Sequence, residues 1–149
     1  PMPHLEELLA ACRRVGIKMG IISNAQFYTP ILFEYFLKAT LSKIGFDPDL
    51  TVFSYREGRA KPSSDLFEKV GVCLDQKHIS RSSSLYIGND MLNDIKPAQK
   101  AGFQTALYAG DARSLRLRKD DLRCKGISAN MIVNDLLQLI EFLTKQSNV

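Results

Sequence analysis

Residues 84–94 read SLYIGNDMLND, and this stretch decides the fold class. An apolar strand pattern ends in a glycine turn, and a helical pattern that contains Asp90 and Asp94 follows it. Positions i and i+4 share one face of a helix, so the two carboxylates lie on the same side. Such a pair can ligate a hard cation such as Mg²⁺, whereas capping of the helix N-terminus by Asn89 or Asp90 needs only one side chain.

The segments on both sides of this stretch alternate between strand and helix patterns. Strand patterns occupy residues 17–23, 50–54, 84–88, 103–109 and 131–133. Helical patterns occupy residues 4–15, 30–41, the stretch after Pro62, 91–102, and the chain from Asn134 onward. This alternation predicts an α/β fold with a Rossmann-like, doubly wound parallel sheet, in one domain over residues 1–149. In such sheets, ligands bind beyond the carboxyl ends of the strands.

Composition narrows the class of protein further. The chain has 149 residues, of which 45% are hydrophobic and 24% charged, so it can bury a core without disulfides. Its three cysteines are far apart and its two histidines are isolated, which argues against a zinc site and for a reducing compartment. No apolar run approaches the ~20 residues that a membrane span needs. These features predict a cytoplasmic protein with no membrane partner.

Two other polar elements follow strand patterns. Ser23 and Asn24 end the stretch IISNA, where a hydroxyl and exposed N–H groups can hold a phosphoryl oxygen. Lys61 lies in GRAKP, and its ammonium can neutralise a phosphate and a nearby carboxylate. Each element alone is also typical of an ordinary turn or of a solvated lysine.

The order of these elements, with each one after a strand, is more specific than any single element. Over about residues 3–109 it resembles the haloacid dehalogenase-like hydrolase superfamily. Through this resemblance, Ser23 matches the second motif, Lys61 the third, and Asp90 with Asp94 the acidic fourth. The resemblance implies a phosphatase that hydrolyses phosphorylated small molecules, with Ser23 and Lys61 as catalytic residues. It implies Mg²⁺ as cofactor, with Asp90 as the main ligand and Asp94 in support; dehalogenation needs no metal and is less favoured.

One family motif has no match in the chain. The resemblance implies a strand that ends in Asp-x-Asp, whose first aspartate is the nucleophile and whose second is the general acid/base. Asp47-Pro48-Asp49 precedes a strand pattern and does not end one. The insert that often caps such active sites, a cap domain, is absent as well, so the resemblance implies that the chain is the C-terminal part of the core, with the missing N-terminal segment as its partner. Pro1 before Met2 fits either a chain cut from a longer one or a cloning remnant. The chain alone is then inactive, and the gap between strands 17–22 and 84–87 either stays open or closes by their pairing.

Two alternatives stay open from the sequence. The first is a phosphate-binding or regulatory module of the same fold without catalysis. The second is nucleic-acid binding through the basic residues of 111–125, but Asp111, Asp120 and Asp121 dilute the charge and no aromatic residues interleave with it. We therefore predict no nucleic-acid partner, and a solvated surface loop or short helix at 111–125.

Overall fold

The structure is a computed structural model, and it describes residues 2–146. Its five strands are β1 Met19–Ser23, β2 Phe46–Phe53, β3 Leu85–Gly88, β4 Gln104–Tyr108 and β5 Met131–Val133. Its α-helices are α1 Leu5–Arg14, α2 Thr29–Leu37, α3 Leu41–Ile44, α4 Ser54–Glu57, α5 Asp65–Gln76, α6 Lys96–Lys100 and α7 Leu137–Gln146. A single π-helical turn, Met91–Ile95, runs directly into α6. The predicted α/β class is confirmed.

The strands form two separate parallel sheets. One sheet has the order β1-β2, and the other has the order β3-β4-β5. Within residues 2–146, no backbone ladder joins β1 to β3. Of the two outcomes expected from the sequence, the open gap is the one observed. We call the interval between β1 and β3 the slot.

Exposure of β3 reflects its unpaired edge. An interior strand of a doubly wound sheet is normally buried on both faces. No residue of β3 is buried, and Ile87 is 38% exposed, whereas Ala106 of the adjacent strand β4 is fully buried. The edge of β3 that faces the slot therefore lacks the cover that β4 has.

Helices on both faces hold the two sheets together across the slot. On one face, Leu9 of α1 packs in a cluster with Met19 of β1, while Leu8 of α1 packs in a cluster with Ala106 of β4. On the other face, α5 packs in one cluster that includes Ile22 of β1 and, at its margin, Tyr86 of β3. Packed side chains therefore connect the two sheets where no backbone ladder does.

Two boundaries differ from the sequence prediction. β2 begins at Phe46, because Gly45 in the left-handed region (φ 107°) ends α3 and turns the chain directly into the strand. Pro48 is tolerated in β2 since this strand lies at the edge of its sheet. At the other end, the last helix begins at Leu137 and not at Asn134, because the Gln138 side chain accepts hydrogen bonds from the backbone N–H groups just before the helix.

As predicted, most of 111–125 is exposed to solvent, and it contains a short helix, Leu122–Cys124. Arg116 pairs with the chain beside Asp90 as an isolated parallel bridge, through Arg116 N to Asn89 O (2.8 Å) and Met91 N to Arg116 O (2.9 Å). The segment is therefore also attached to the residues that follow β3, a contact that the sequence did not predict. Among the described residues, no helix has the length and apolar character that crossing a bilayer requires.

Candidate active site

Lys61 and Asp94 form an ion pair at the carboxyl end of the strands. The pair joins Lys61 Nζ to Asp94 Oδ1, and the two side chains are only 10% and 6% exposed. Tyr86 stands beside them: its hydroxyl lies 3.1 Å from Lys61 Nζ and 3.2 Å from Asp94 Oδ1. Desolvation, and then the charge of Asp94, raise the pKa of Tyr86 well above its usual value. The hydroxyl is therefore a neutral partner of a buried ion pair.

The turn after β3 is shaped around the Asp94 carboxylate. Asp94 Oδ2 accepts hydrogen bonds from the backbone N–H groups of Asn89 (3.0 Å) and Asp90 (3.1 Å). Gly88 makes this approach possible, because a Cβ there would stand 2.4 Å from the Cβ of Asp94. In the sequence Gly-Asn-Asp-xxx-Asp, the carboxylate of the last residue, Asp94, therefore accepts the backbone N–H groups of the turn that the first residues form.

Asn24 connects the end of β1 to the lysine loop. Its side-chain Oδ1 accepts from Lys61 N (2.8 Å), and its Nδ2 donates to Lys61 O (3.0 Å). These two bonds fix the backbone from which the Lys61 ammonium extends. Ser23, one residue earlier, has no side-chain hydrogen bond to any part of residues 2–146, so its hydroxyl is free to meet a ligand.

Asp90 is occupied by other groups. Its carboxylate caps the turn that follows, since Oδ1 accepts from Leu92 N (2.9 Å) and Asn93 N (3.2 Å) and Oδ2 accepts from Asn93 Nδ2 (2.9 Å). The Arg118 guanidinium donates to both oxygens, from Nε to Oδ1 (3.1 Å) and from Nη2 to Oδ2 (2.6 Å). Burial alone would raise the pKa of Asp90, but Arg118 and the capping N–H groups outweigh burial and lower it.

Whether Asp90 and Asp94 can bind a metal ion depends on how many of their carboxylate oxygens are free. Both oxygens of Asp90 and both oxygens of Asp94 already accept hydrogen bonds from the protein. In the part of the chain that the structure describes, no three His, Cys, Asp or Glu side chains are grouped to hold a metal. As they stand, these residues do not form a Mg²⁺ site. The assignment of Asp90 and Asp94 as ligands stays a prediction.

The structure brings the predicted residues to one edge and adds others. Ser23 lies between Ile22, whose carbonyl Tyr86 contacts, and Asn24, which holds Lys61. The contributions of Tyr86 and Arg118 were missed. Tyr86 carries no motif signal inside its strand, and Arg118 lies 28 residues from its partner Asp90. Neither contact has a local pattern that sequence analysis could detect.

Comparison with known proteins adds a family match and a curated relative. Residues 1–108 match the family described as haloacid dehalogenase-like hydrolase. The chain is 26% identical over 145 residues to a glyceraldehyde 3-phosphate phosphatase from Methanocaldococcus jannaschii, across 96% of this chain and 56% of that protein. The chain thus spans about half the length of this relative.

Solved structures show the same fold. A phosphatase of this type from Thermococcus onnurineus superimposes with a TM-score of 0.70 at 17% identity, over 95% of this chain and 57% of that one. A magnesium-bound hydrolase from Bacillus subtilis gives 0.71 at 20% identity, over 96% and 55%. A 2-haloacid dehalogenase from Pseudomonas syringae gives 0.63 at 19% identity, over 97% and 53%. At these identities the likeness extends to the fold alone.

Proposed function

The chain belongs to the haloacid dehalogenase-like hydrolases, and on that premise we propose that it is part of a Mg²⁺-dependent phosphomonoester hydrolase that acts through an aspartyl-phosphate intermediate. The observation that carries the proposal is the buried Lys61–Asp94 pair at the carboxyl edge of parallel strands, which Asn24, the residue after Ser23, links to the end of β1. The curated relative, which is named as a phosphatase, supports phosphate esters as the substrate class.

Lys61 supplies the positive charge of the proposed phosphate site. An ammonium has three donors, and two of those of Lys61 go to Asp94 and Tyr86. The third donor is available to a phosphoryl oxygen. Because the side chain is 10% exposed, its charge acts where water screens it little. Asp94 and Asn24 fix the ammonium and the backbone that carries it, so little ordering remains to be done when the substrate binds.

Ser23 supplies the hydrogen-bond donor of the same site. Its hydroxyl follows β1 and meets no protein partner among the described residues, as a group reserved for a ligand should. We assign it to a phosphoryl oxygen, as the family's second motif implies. Asn24 was predicted to bind substrate as well, but its amide is committed to Lys61, which favours a positioning role.

The nucleophile is proposed to come from a strand that fills the slot. In the first step, a carboxylate oxygen attacks phosphorus, the ester P–O bond breaks, and a second carboxylic acid protonates the departing alcohol. In the second step, the second carboxyl group, now ionised, takes a proton from water. The water oxygen attacks phosphorus, the bond from phosphorus to the nucleophile breaks, and phosphate and the free nucleophile are released. Asp94 cannot take the nucleophile's part while Lys61 holds it, and Asp90 is gripped by Arg118.

Mg²⁺, when bound, would neutralise part of the phosphate charge. Since Asp90 and Asp94 are saturated by protein donors, we propose that the slot strand provides the main ligands. The isolated chain should then bind the ion poorly.

Hydrolysis of an aryl phosphate with Mg²⁺ tests the proposal. We expect no turnover by the purified chain, and turnover when an N-terminal segment that ends a strand in Asp-x-Asp is joined to it. Lys61→Met in the joined protein should abolish activity, while Lys69→Met, whose ammonium pairs with Glu57 at the surface, should not. Activity of the chain alone that Asp90→Ala removes would overturn the mechanism. Phosphate binding without turnover in the joined protein would favour the regulatory module.

A further inference from the structure

Segment Ser114–Arg118 is fastened to the turn that follows β3. Two backbone hydrogen bonds join Arg116 to Asn89 and Met91, at 2.8 and 2.9 Å. The Asn89 side chain adds a third bond, from Nδ2 to Ser114 O (3.0 Å). We call this segment the brace. It extends strand-like pairing beyond the end of β3, to the residues where the site begins.

Arg118 ends the brace with a two-point ion pair. Its backbone lies in the left-handed region, with φ 54°, and its guanidinium reaches both oxygens of Asp90. The Arg118 side chain is 36% exposed and that of Asp90 is 10% exposed. The carboxylate is therefore largely buried, and the guanidinium lies between it and solvent. Parallel, two-point contact is the strongest arrangement that arginine makes with a carboxylate.

The Asp90 carboxylate has no remaining capacity. Each carboxylate oxygen offers about two lone-pair sites. Oδ1 accepts from Leu92 N, Asn93 N and Arg118 Nε, and Oδ2 accepts from Asn93 Nδ2 and Arg118 Nη2. A divalent ion that took Asp90 would have to break the pair and leave Arg118 without its partner. Mg²⁺ also demands near-ideal octahedral geometry, which this crowded carboxylate does not offer.

We propose that Arg118 is the permanent counter-ion of Asp90, and that the pair is a positioning device that keeps Asp90 out of the metal's ligand set. The effect reaches the site through the backbone. Asp90 and Asn89 donate their N–H groups to Asp94, and the other oxygen of Asp94 holds Lys61. Arg118 therefore fixes the turn that fixes the Lys61–Asp94 pair. The inference rests on the proposed function for the presence of a metal, but its tests need no turnover.

The first test is a double-mutant cycle on the unfolding equilibrium of the full chain, with Arg118→Gln, Asp90→Asn and the double variant. Asparagine still caps a helical turn, so Asp90→Asn removes charge without removing the cap. We expect Arg118 and Asp90 to be coupled by about fivefold or more in the unfolding equilibrium constant. Arg118→Lys should recover only part of this coupling, because lysine cannot make the two-point contact.

The chain contains a matched control. Arg123 grips Asp121 with the same two-point geometry, at 3.0 and 2.8 Å, but the Arg123 side chain is 61% exposed. The Arg123→Gln and Asp121→Asn cycle should give coupling of about twofold or less, as exposed pairs do. Equal coupling in the two cycles would overturn the proposal that the Asp90 pair is special.

The second test is Mn²⁺ binding, followed by electron paramagnetic resonance, for the same variants. If Asp90 is a positioning group, Arg118→Gln and Asp90→Asn leave the Mn²⁺ affinity of the chain unchanged within about twofold. If Asp90 is instead a ligand that Arg118 blocks, Arg118→Gln tightens Mn²⁺ binding about tenfold or more and Asp90→Asn cancels the gain. That second pattern would overturn the inference. If instead both tests give the expected results but the joined enzyme shows no phosphatase activity, only the proposed function is contradicted.

Discussion

The hydroxyl of Tyr86 in β3 donates a hydrogen bond to the carbonyl oxygen of Ile22 in β1, with 3.0 Å between the two oxygens. This contact crosses the slot, where paired strands would instead lie about 4.8 Å apart and share backbone hydrogen bonds. One side chain therefore links two sheets, and it ends in the same place as the Lys61–Asp94 ion pair. The same hydroxyl therefore both links the two sheets and contacts the charged residues of the candidate site.

Removal of this hydroxyl should loosen the chain. We expect Tyr86→Phe to lower the free energy of unfolding by about 1–3 kcal/mol, because the carbonyl of Ile22 and the ammonium of Lys61 each lose a partner. Urea denaturation followed by circular dichroism measures the change. Tyr35→Phe is the control, since Tyr35 is 76% exposed. Equal effects of the two substitutions would show that the Tyr86 contact contributes nothing.

Tyr86 also predicts how stability varies at alkaline pH. Its pKa is raised in the folded chain by desolvation and by Asp94, so the unfolded chain, with an ordinary tyrosine pKa of about 10, ionises first. The contribution is therefore constant below about pH 10 and is lost as the pH rises past 10 toward the folded value. Tyrosinate absorbance of the chain minus that of Tyr86→Phe gives the titration directly. A difference titration at the ordinary value would contradict the assignment.

The Lys61–Asp94 pair should depend on both partners. Lys61→Met leaves the buried Asp94 carboxylate without its cation, which costs about 3–5 kcal/mol of stability. The double variant Lys61→Met/Asp94→Leu should cost less than the sum of the two single variants, because no charge is left buried. Lys69→Met, in an exposed pair with Glu57, should change stability by about 1 kcal/mol or less. Additive effects at Lys61 and Asp94 would refute the coupling.

Two serines near the site should behave differently. Ser23→Ala is expected to leave stability unchanged within about 0.5 kcal/mol and to weaken the binding of orthovanadate, a phosphate analogue, because its hydroxyl makes no hydrogen bond to the described residues. Ser54→Ala should destabilise the chain by about 1 kcal/mol, since its hydroxyl bonds both the N–H and the carbonyl of Ala25. Calorimetric titration and thermal unfolding separate the two effects. A stability loss at Ser23 would argue for a structural role.

Hydrogen exchange tests the slot. We expect the amides of β1 and β3 that point into the slot to exchange faster than those of β4, which is paired on both sides. A segment that fills the slot should slow their exchange while leaving β4 unchanged. Exchange of β1 and β3 as slow as that of β4 in the chain alone would mean that the two strands pair directly in solution.

Local patterns determined much of this protein. Strand periodicity and the glycine turn after β3 predicted the α/β class, and the polar residues that follow the strands predicted the edge where Lys61 pairs with Asp94 and where Ser23 ends β1. These signals are local because a strand's residues alternate faces and its end is marked by the next few residues. A gap between β1 and β3 was also predicted, and no ladder joins the two sheets within the part of the chain that the structure describes.

Only the tertiary structure decided the partners of the charged groups. Asp90 could cap a turn or ligate a metal on sequence alone; in the fold it caps the turn, and it also pairs with Arg118, which lies 28 residues further along the chain. Tyr86 reaches Ile22 over 64 residues of sequence. A hydrogen bond or an ion pair acts over a few ångströms and leaves no periodic trace in the chain, so its partner is fixed only when the packed helices bring distant segments together.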